Sequence, residues 1–347
     1  MQWHKLVKVM IVGVGLLGSA MVLPAIAQLR GEVPGSLLIF PEFNISPPAV
    51  TQLRITDVQN PALGGTTRVH LNYVCPPAGG PGASGGVEGV CNEVDRHKAV
   101  TFHGTLIIDV AGDLGGPFPG APCNKGYVIA FVEDAARHPI AANQLIGSYR
   151  ISGTDGDDAE AVQAIAVQSE RFLPGGPPVQ LGHFENGELV LTFGLSGTDD
   201  YRALPWILYS DFQAVNTALV PPRRAELILL TMDVKSGLAN PEAQVGVHAW
   251  SQSEDEFSTT LRFTCWAEYE LEGINGFFNA AVLGSQYGSL QVKAVTSFSA
   301  EFGINYSPTL LGVIRETGPG PTLRRLYHVG LRSTSYGPDP DTAPPGP

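Results

Sequence analysis

The sequence predicts an all-β protein built as two tandem antiparallel β-sandwich domains, residues 31–173 and 174–337, with the marks of an internal duplication. Three observations carry this. Short apolar bursts with period-two alternation recur along the chain, as in Thr67–Val74, where Val69, Leu71 and Tyr73 share one face and His70 and Asn72 the other. Turn chemistry separates the bursts, at Asn60-Pro61, Gly64-Gly65, Asp155-Gly156, Asn186-Gly187 and Gly318-Pro319. Gly (41) and Pro (28) make up about a fifth of the 347 residues, and no amphipathic helix longer than two or three turns is legible. A single large sandwich or barrel-like domain is the alternative architecture.

The strand candidates run in order through Ser36–Phe40, Gln52–Val58, Thr67–Val74, Val100–Val110, Gly126–Val132 and Ala161–Gln168. They continue through Glu188–Phe193, Glu226–Val234, Gln244–Trp250, Ser258–Thr264, Ser289–Thr296 and Arg325–Leu331. Asn186-Gly187 between His183–Glu185 and Glu188–Val190 reads as a hairpin turn, because both residues tolerate positive φ. Features repeat in order between the halves: Val69-His70 with Val247-His248, and Leu145-Ile146-Gly147 with Leu310-Leu311-Gly312. With Gly126 and Gly288 matched as well, the offsets drift between about 162 and 178, as loop insertions in a tandem repeat would give. Pro174–Pro178 falls where a linker belongs, and residues 338–347 read as a disordered Pro-rich tail.

Residues 1–27 read as a signal peptide. Lys5 and Lys8 form a positive start, Val9–Leu23 an apolar run, and Ala25 and Ala27 the small-residue cleavage positions before Gln28. An uncleaved membrane anchor is the rival, but Pro24 breaks a run that is short for a span. No later segment is apolar and long enough to cross a bilayer as a helix. The expected location is secreted, periplasmic or cell-surface. Cleavage leaves 19 basic against 33 acidic residues, a net charge of about −14. Such a surface repels polyanions, which argues against nucleic acid or anionic lipid as partner.

Four cysteines in an exported chain suggest disulfides. Cys75 and Cys91 bracket a Gly- and Pro-rich segment that cannot order itself by burial, so a crosslink at its base is the economical pairing, leaving Cys123 with Cys265. Zinc is the alternative use, although no C-x₂-C or H-x₃-H spacing is present.

Catalytic motifs fail on context. Gly13–Gly18 is a literal G-x-G-x-x-G, but it lies inside the leader and no βαβ pattern follows. Gly82–Gly86 matches G-x-S-x-G, yet its Ser84 sits in a low-complexity loop rather than between a strand and a helix. Glu254-Asp255-Glu256 reads as a charged loop, since glycoside chemistry needs carboxyls held across a cleft. Trp206, Trp250 and Trp266 read as core tryptophans before sugar platforms. His70, His97, His103, His138, His183, His248 and His328 are dispersed, with His97 and His103 the closest pair. The candidate metal ligands are Asp155, Asp157, Asp158, Asp199 and Asp200, whose carboxylates follow similar Ser-Gly-Thr lead-ins; oxygen donors on Gly-rich turns suit Ca²⁺, and solvated turns are the plain alternative. No other cofactor is indicated.

The phrases Gly35–Pro41, Cys91–His97, Gly126–Val132, Pro139-Ile140 with Leu145–Gly147, Ala164–Ser169 and Phe263–Trp266 resemble a family of secreted bacterial proteins of β-rich character and no known activity. The resemblance implies bacterial export and supplies no active-site residues. No nucleophile–base–orienter set is assembled in the sequence. The expected role is therefore non-catalytic, structural or adhesive, with an unknown extracellular or envelope ligand. The alternative is a secreted carbohydrate-active hydrolase whose carboxylates come from distant loops.

Overall fold

The computed structural model describes residues 33–58, 65–76, 91–116, 123–153, 161–185, 188–194, 196–232, 243–295, 297–299, 304–306, 309–318, 323–325, 327–332 and 334–336. The signal segment, both glycine motifs and Asp155, Asp157 and Asp158 lie outside them. The all-β expectation holds. Strands dominate, and the longest helix among the described residues has five residues.

The first half contributes β1 (Leu37–Asn44), β2 (Val50–Asp57), β3 (Thr66–Cys75), β4 (Asn92–Thr101), β5 (Thr105–Asp109), β6 (Lys125–Glu133), β7 (Leu145–Ser152), β8 (Val162–Gln163) and β9 (Ile165–Val167). β10 (Glu188–Gly194) follows. The second half contributes β11 (Leu204–Gln213), β12 (Arg224–Leu230), β13 (Ala243–Ser251), β14 (Glu256–Phe263), β15 (Trp266–Glu270), β16 (Tyr287–Val295), β17 (Leu311–Thr317), β18 (Leu323–Arg325) and β19 (Tyr327–Arg332), and β20 (Thr334–Tyr336) closes the series.

Sheet one runs β5-β2-β7-β8, and sheet two β9-β1-β6-β3-β4. Sheet three runs β15-β12-β17-β18, and sheet four β19-β11-β16-β13-β14. Adding ten to each label of sheets one and two yields sheets three and four, strand for strand. A fifth sheet joins His183–Glu185, β10, Tyr201–Arg202 and β20. Within it, His183–Glu185 and β10 pair with Glu185 opposite Glu188, as the hairpin reading requires.

The pleat explains the layering. Along β13 burial alternates residue by residue, Val245, Val247 and Ala249 facing inward. β1 and β6 are buried on both faces. From them Leu38, Phe40, Val128 and Ala130 enter a core with Leu53, Ile55, Tyr149 and Ile151 of sheet one. Their alternate residues Leu37, Ile39, Ile129 and Phe131 enter a different core with Ile228, Leu230, Leu311 and Val313 of sheet three. The other face of sheet three, Leu227, Leu229 and Ile314, meets Leu208, Val247 and Val292 of sheet four. Sheets one to four therefore stack face to face over three apolar layers.

This corrects the reading of two tandem sandwiches. A sandwich closes over one core and leaves both outer faces to solvent. Here the inner sheet of each half is buried on both sides, and the middle core belongs to both halves, with Leu191, Phe193 and Tyr201 of the fifth sheet added to it. The five sheets of four or five strands, beside two two-stranded ones, resemble the blades of a five-bladed propeller, although strands within one sheet are not consecutive in the chain. Two side-chain bonds cross the middle layer: Trp266 Nε1 donates to Pro41 O at 3.0 Å, and Tyr127 Oη to Thr231 O at 3.1 Å. Trp266 is thus a core residue.

All four cysteines are in disulfides, but the expected pairing is overturned: Cys75 bonds Cys123 and Cys91 bonds Cys265. The reason is the face each residue occupies. Cys75 ends β3 in the outer core, where Cys123 packs beside it. Cys91 lies across the sheet in the middle core with Cys265. Side chains on opposite faces of one sheet cannot bridge, however short the loop between them. Cys91–Cys265 thus staples the halves across a sequence separation of 174 residues. Peptide mapping without reduction is expected to recover Cys75–Cys123 and Cys91–Cys265 peptides. Replacing Cys91 and Cys265 together by Ser should lower the unfolding free energy by about 4–5 kcal/mol in urea titration, on the chain-entropy account of a long loop.

Candidate functional site

β3 and β4 form a ladder with a single register, in which Cys75 faces Asn92 and, five residues along, His70 faces His97. β6 flanks β3 on its other side, with Phe131 opposite His70 and Glu133 opposite Arg68. Three neighbouring strands thereby bring His70, His97 and Glu133 together on the middle-core face of sheet two. They form a group with ligand atoms all within 4.8 Å of one another. Nδ1 of His97 is 3.0 Å from each Glu133 carboxylate oxygen, and Nδ1 of His70 is 3.5 Å from Oε2. Nε2 of His70 bonds Oδ1 of Asp95 at 2.7 Å. That bond is the leading influence holding the Asp95 carboxyl below the usual carboxylate range. The His70 ring lies 4.5 Å from that of His97 and 4.6 Å from that of Phe131, centroid to centroid. Glu133 is 2% exposed at the side chain, His70 13% and His97 32%, so the group is deep on the Glu133 side and open to solvent at His97.

The repeated topology offers a comparison. By the same registers, His248 stands where His70 does, but Ser258 faces it in place of His97 and Lys293 faces Gly246 where Glu133 faces Arg68. His248 bonds Glu256 at 3.2 Å and stacks on Trp250 at the surface. The three-ligand group therefore belongs to the first half. The sequence shows dispersed histidines, with His97 and His103 the closest pair along the chain, and gives no sign of Glu133. The register of the β3–β4 hairpin would have paired the two histidines, whereas Glu133 reaches them only because β6 inserts between β1 and β3.

A second charged group lies between the halves. Arg315 of β17 is surrounded by Glu42 of β1, Glu226 of β12 and Glu268 of β15. Its Nη1 is 2.8 Å from Glu42 Oε2 and its Nε 2.6 Å from Glu226 Oε2, while Glu268 binds both Arg315 and Lys125. Tyr149 donates to the other oxygen of Glu42 at 3.1 Å. Burial pushes the Glu226 carboxyl up, against the pull of Arg315. The three carboxylates are thus paired with two cations, Arg315 and Lys125.

The remaining candidates have local partners. The Asp200 carboxylate is buried and accepts from Gly182 N, Thr192 N, Thr192 Oγ1 and Arg171 Nη1 at 2.8–3.2 Å, joining two loops to β10. Asp199 accepts from Ser196 N and Oγ and packs so closely on Gly194 that a Cβ there would stand 1.8 Å from Oδ2. Glu254 and Asp255 lie in the turn between β13 and β14, where Ser251 N donates to Asp255 O and Glu254 takes positive φ. Trp206 is half-buried, with Lys293 Nζ 5.0 Å from its ring centre. An open cleft of about 350 Å³ on sheet four is lined by Asp211, Ser251, Gln252, Tyr287, Gly288 and Ser289. No family model matches the chain, and no curated protein matches it in sequence. The resemblance to secreted bacterial proteins therefore rests on its phrases alone.

Removing the central cation of the buried group should be costly, because it strands carboxylates out of water. Arg315→Met is expected to lose about 3–5 kcal/mol at pH 7 in urea unfolding. Since burial holds Glu226 above its unfolded value, the folded state takes up a proton there first, and stability falls as pH rises through the folded pKa. Without Arg315 that fall steepens, so the deficit of the variant should shrink as pH drops from 7 toward 5. A deficit independent of pH would refute the electrostatic account.

Proposed function

We propose that the chain is exported, with its leader cut before Gln28, and works at or outside the cell envelope as a non-catalytic structural or binding protein. In this reading it arose by duplication of a two-sheet unit, residues 31–173 and 174–337. The observation that carries it is the use made of the buried carboxylates. Glu42, Glu226 and Glu268 converge, as a hydrolase assembled from distant segments would require, but they converge on Arg315 and Lys125 rather than on a cleft. A glycosidase needs two carboxyls about 5–9.5 Å apart with substrate between them. The cleft on sheet four has a single carboxylate, Asp211, in its lining.

Other features agree. Two disulfides suit an oxidising compartment. No helix among the described residues is long and apolar enough to cross a membrane. The acidic balance disfavours a polyanionic partner. The strand-for-strand repeat of sheet order supports the duplication.

Full-length expression in a bacterial host with fractionation tests the proposal. The exported form should have the mass of a chain beginning at Gln28 with no free thiol. Incubated with insoluble envelope polysaccharide, it should release no soluble sugar. An uncut chain held in the inner membrane would overturn the export reading, and release of reducing ends would overturn the non-catalytic one.

A further inference from the structure

We infer that His70, His97 and Glu133 form a site for one divalent transition-metal ion of the zinc class, with Asp95 as its positioning residue. The geometry is close to what such an ion imposes. Zinc holds nitrogen and oxygen ligands at about 2.0–2.2 Å, which puts neighbouring ligands of a tetrahedron about 3.3 Å apart. The separations here are 3.0 Å from His97 Nδ1 to the Glu133 oxygens and 3.5 Å from His70 Nδ1 to Oε2. Strands β3, β4 and β6 fix all three backbones, so little ordering is left for the ion to impose.

The state of His70 points the same way. Its Nδ1 is buried and has no hydrogen-bond partner. A buried polar atom left in that condition loses its hydration without compensation, which a ligand bond would relieve. Its other nitrogen is held by Asp95 at 2.7 Å. A proton on Nε2, donated to Asp95, leaves the Nδ1 lone pair directed toward Glu133. This is the carboxylate–histidine–metal arrangement in which the outer carboxylate sets the tautomer and raises the basicity of the ligand. Phe131 backs the His70 ring at 4.6 Å and closes the site on its apolar side. The charges also balance, since Glu133 and Asp95 together offset one divalent ion held by two neutral imidazoles.

The donor set selects the metal. Two imidazole nitrogens and one carboxylate suit zinc and its transition-metal neighbours. Calcium requires six to eight oxygens. Three protein ligands leave a fourth position, on the side where His97 reaches solvent, for water. Among the described residues the second half, with Ser258 and Lys293 at the matching positions, has no such set, so the expected stoichiometry is one ion per chain.

Chelator-treated, disulfide-intact protein titrated with Zn²⁺ by calorimetry, and with Co²⁺ by visible absorption, tests the site. One equivalent should bind, the thermal midpoint should rise, and millimolar Ca²⁺ should do neither. His97→Ala, at the exposed end of the site, and Glu133→Gln should each lose at least about 100-fold in affinity. Asp95→Asn should weaken binding about 10–100-fold while keeping the stoichiometry, as loss of an outer-shell carboxylate does. His248→Ala, which removes the surface histidine of the second half, should change nothing. Far-UV circular dichroism confirms that each variant is folded before titration. Failure of the folded wild-type chain to take up Zn²⁺, or wild-type affinity in folded His97→Ala, would overturn the site. Loss of binding in His248→Ala would place the ion elsewhere and overturn it equally.

Discussion

The middle apolar layer is the constraint on which the rest of the structure depends. Leu37, Ile39, Ile129 and Phe131 from one half and Ile228, Leu230, Leu311 and Val313 from the other form one core. Each inner sheet is therefore apolar on both faces, and neither half can stand in water without exposing one of them. The Arg315 group follows from the same fact. Where apolar side chains give way to Glu42, Glu226 and Glu268, the charges are matched within the join, because Glu42 is fully buried and Arg315 nearly so. Burial of this kind adds less to net stability than to the choice of register between the halves, since a shifted register would strand a carboxylate.

How much of this was legible varies with the range of the interaction involved. Period-two alternation in Thr67–Val74 and Gln244–Trp250 is a local property, and both segments are strands. The matched features of the two halves were legible because a repeat preserves order even when loops change length. Two-sided burial of β1 and β6 was also written in the continuous apolar runs SLLIF and GYVIAFV, which signal a strand covered on both faces. Reading those runs as ordinary sandwich strands is what led to two separate domains.

The disulfides and the histidine group were illegible for one shared reason. Both depend on which face of sheet two a residue occupies and on which strand inserts beside β3. Loop length suggested Cys75 with Cys91, yet the pleat sends them to different cores. Along the chain the histidines are dispersed, yet register sends His97 to His70 and strand order brings Glu133 to both. By contrast Asp199 and Asp200 stood out as a sequence cluster, and each carboxylate accepts hydrogen bonds from a different set of neighbours. Adjacency along the chain measures convergence poorly in a protein made of strands, where successive side chains point apart.

The Cys91–Cys265 staple changes what a break in the backbone means for this molecule. Pro174–Pro178 runs exposed between the halves, the kind of surface segment that proteases cut first. A chain nicked there keeps its two pieces joined by the covalent bridge, by the common core and by the pairing of Val179-Gln180 with Ile140-Ala141. Proteolytic damage at the junction is thus survivable, and the integrity of the whole passes from the peptide bond to the redox state of its surroundings.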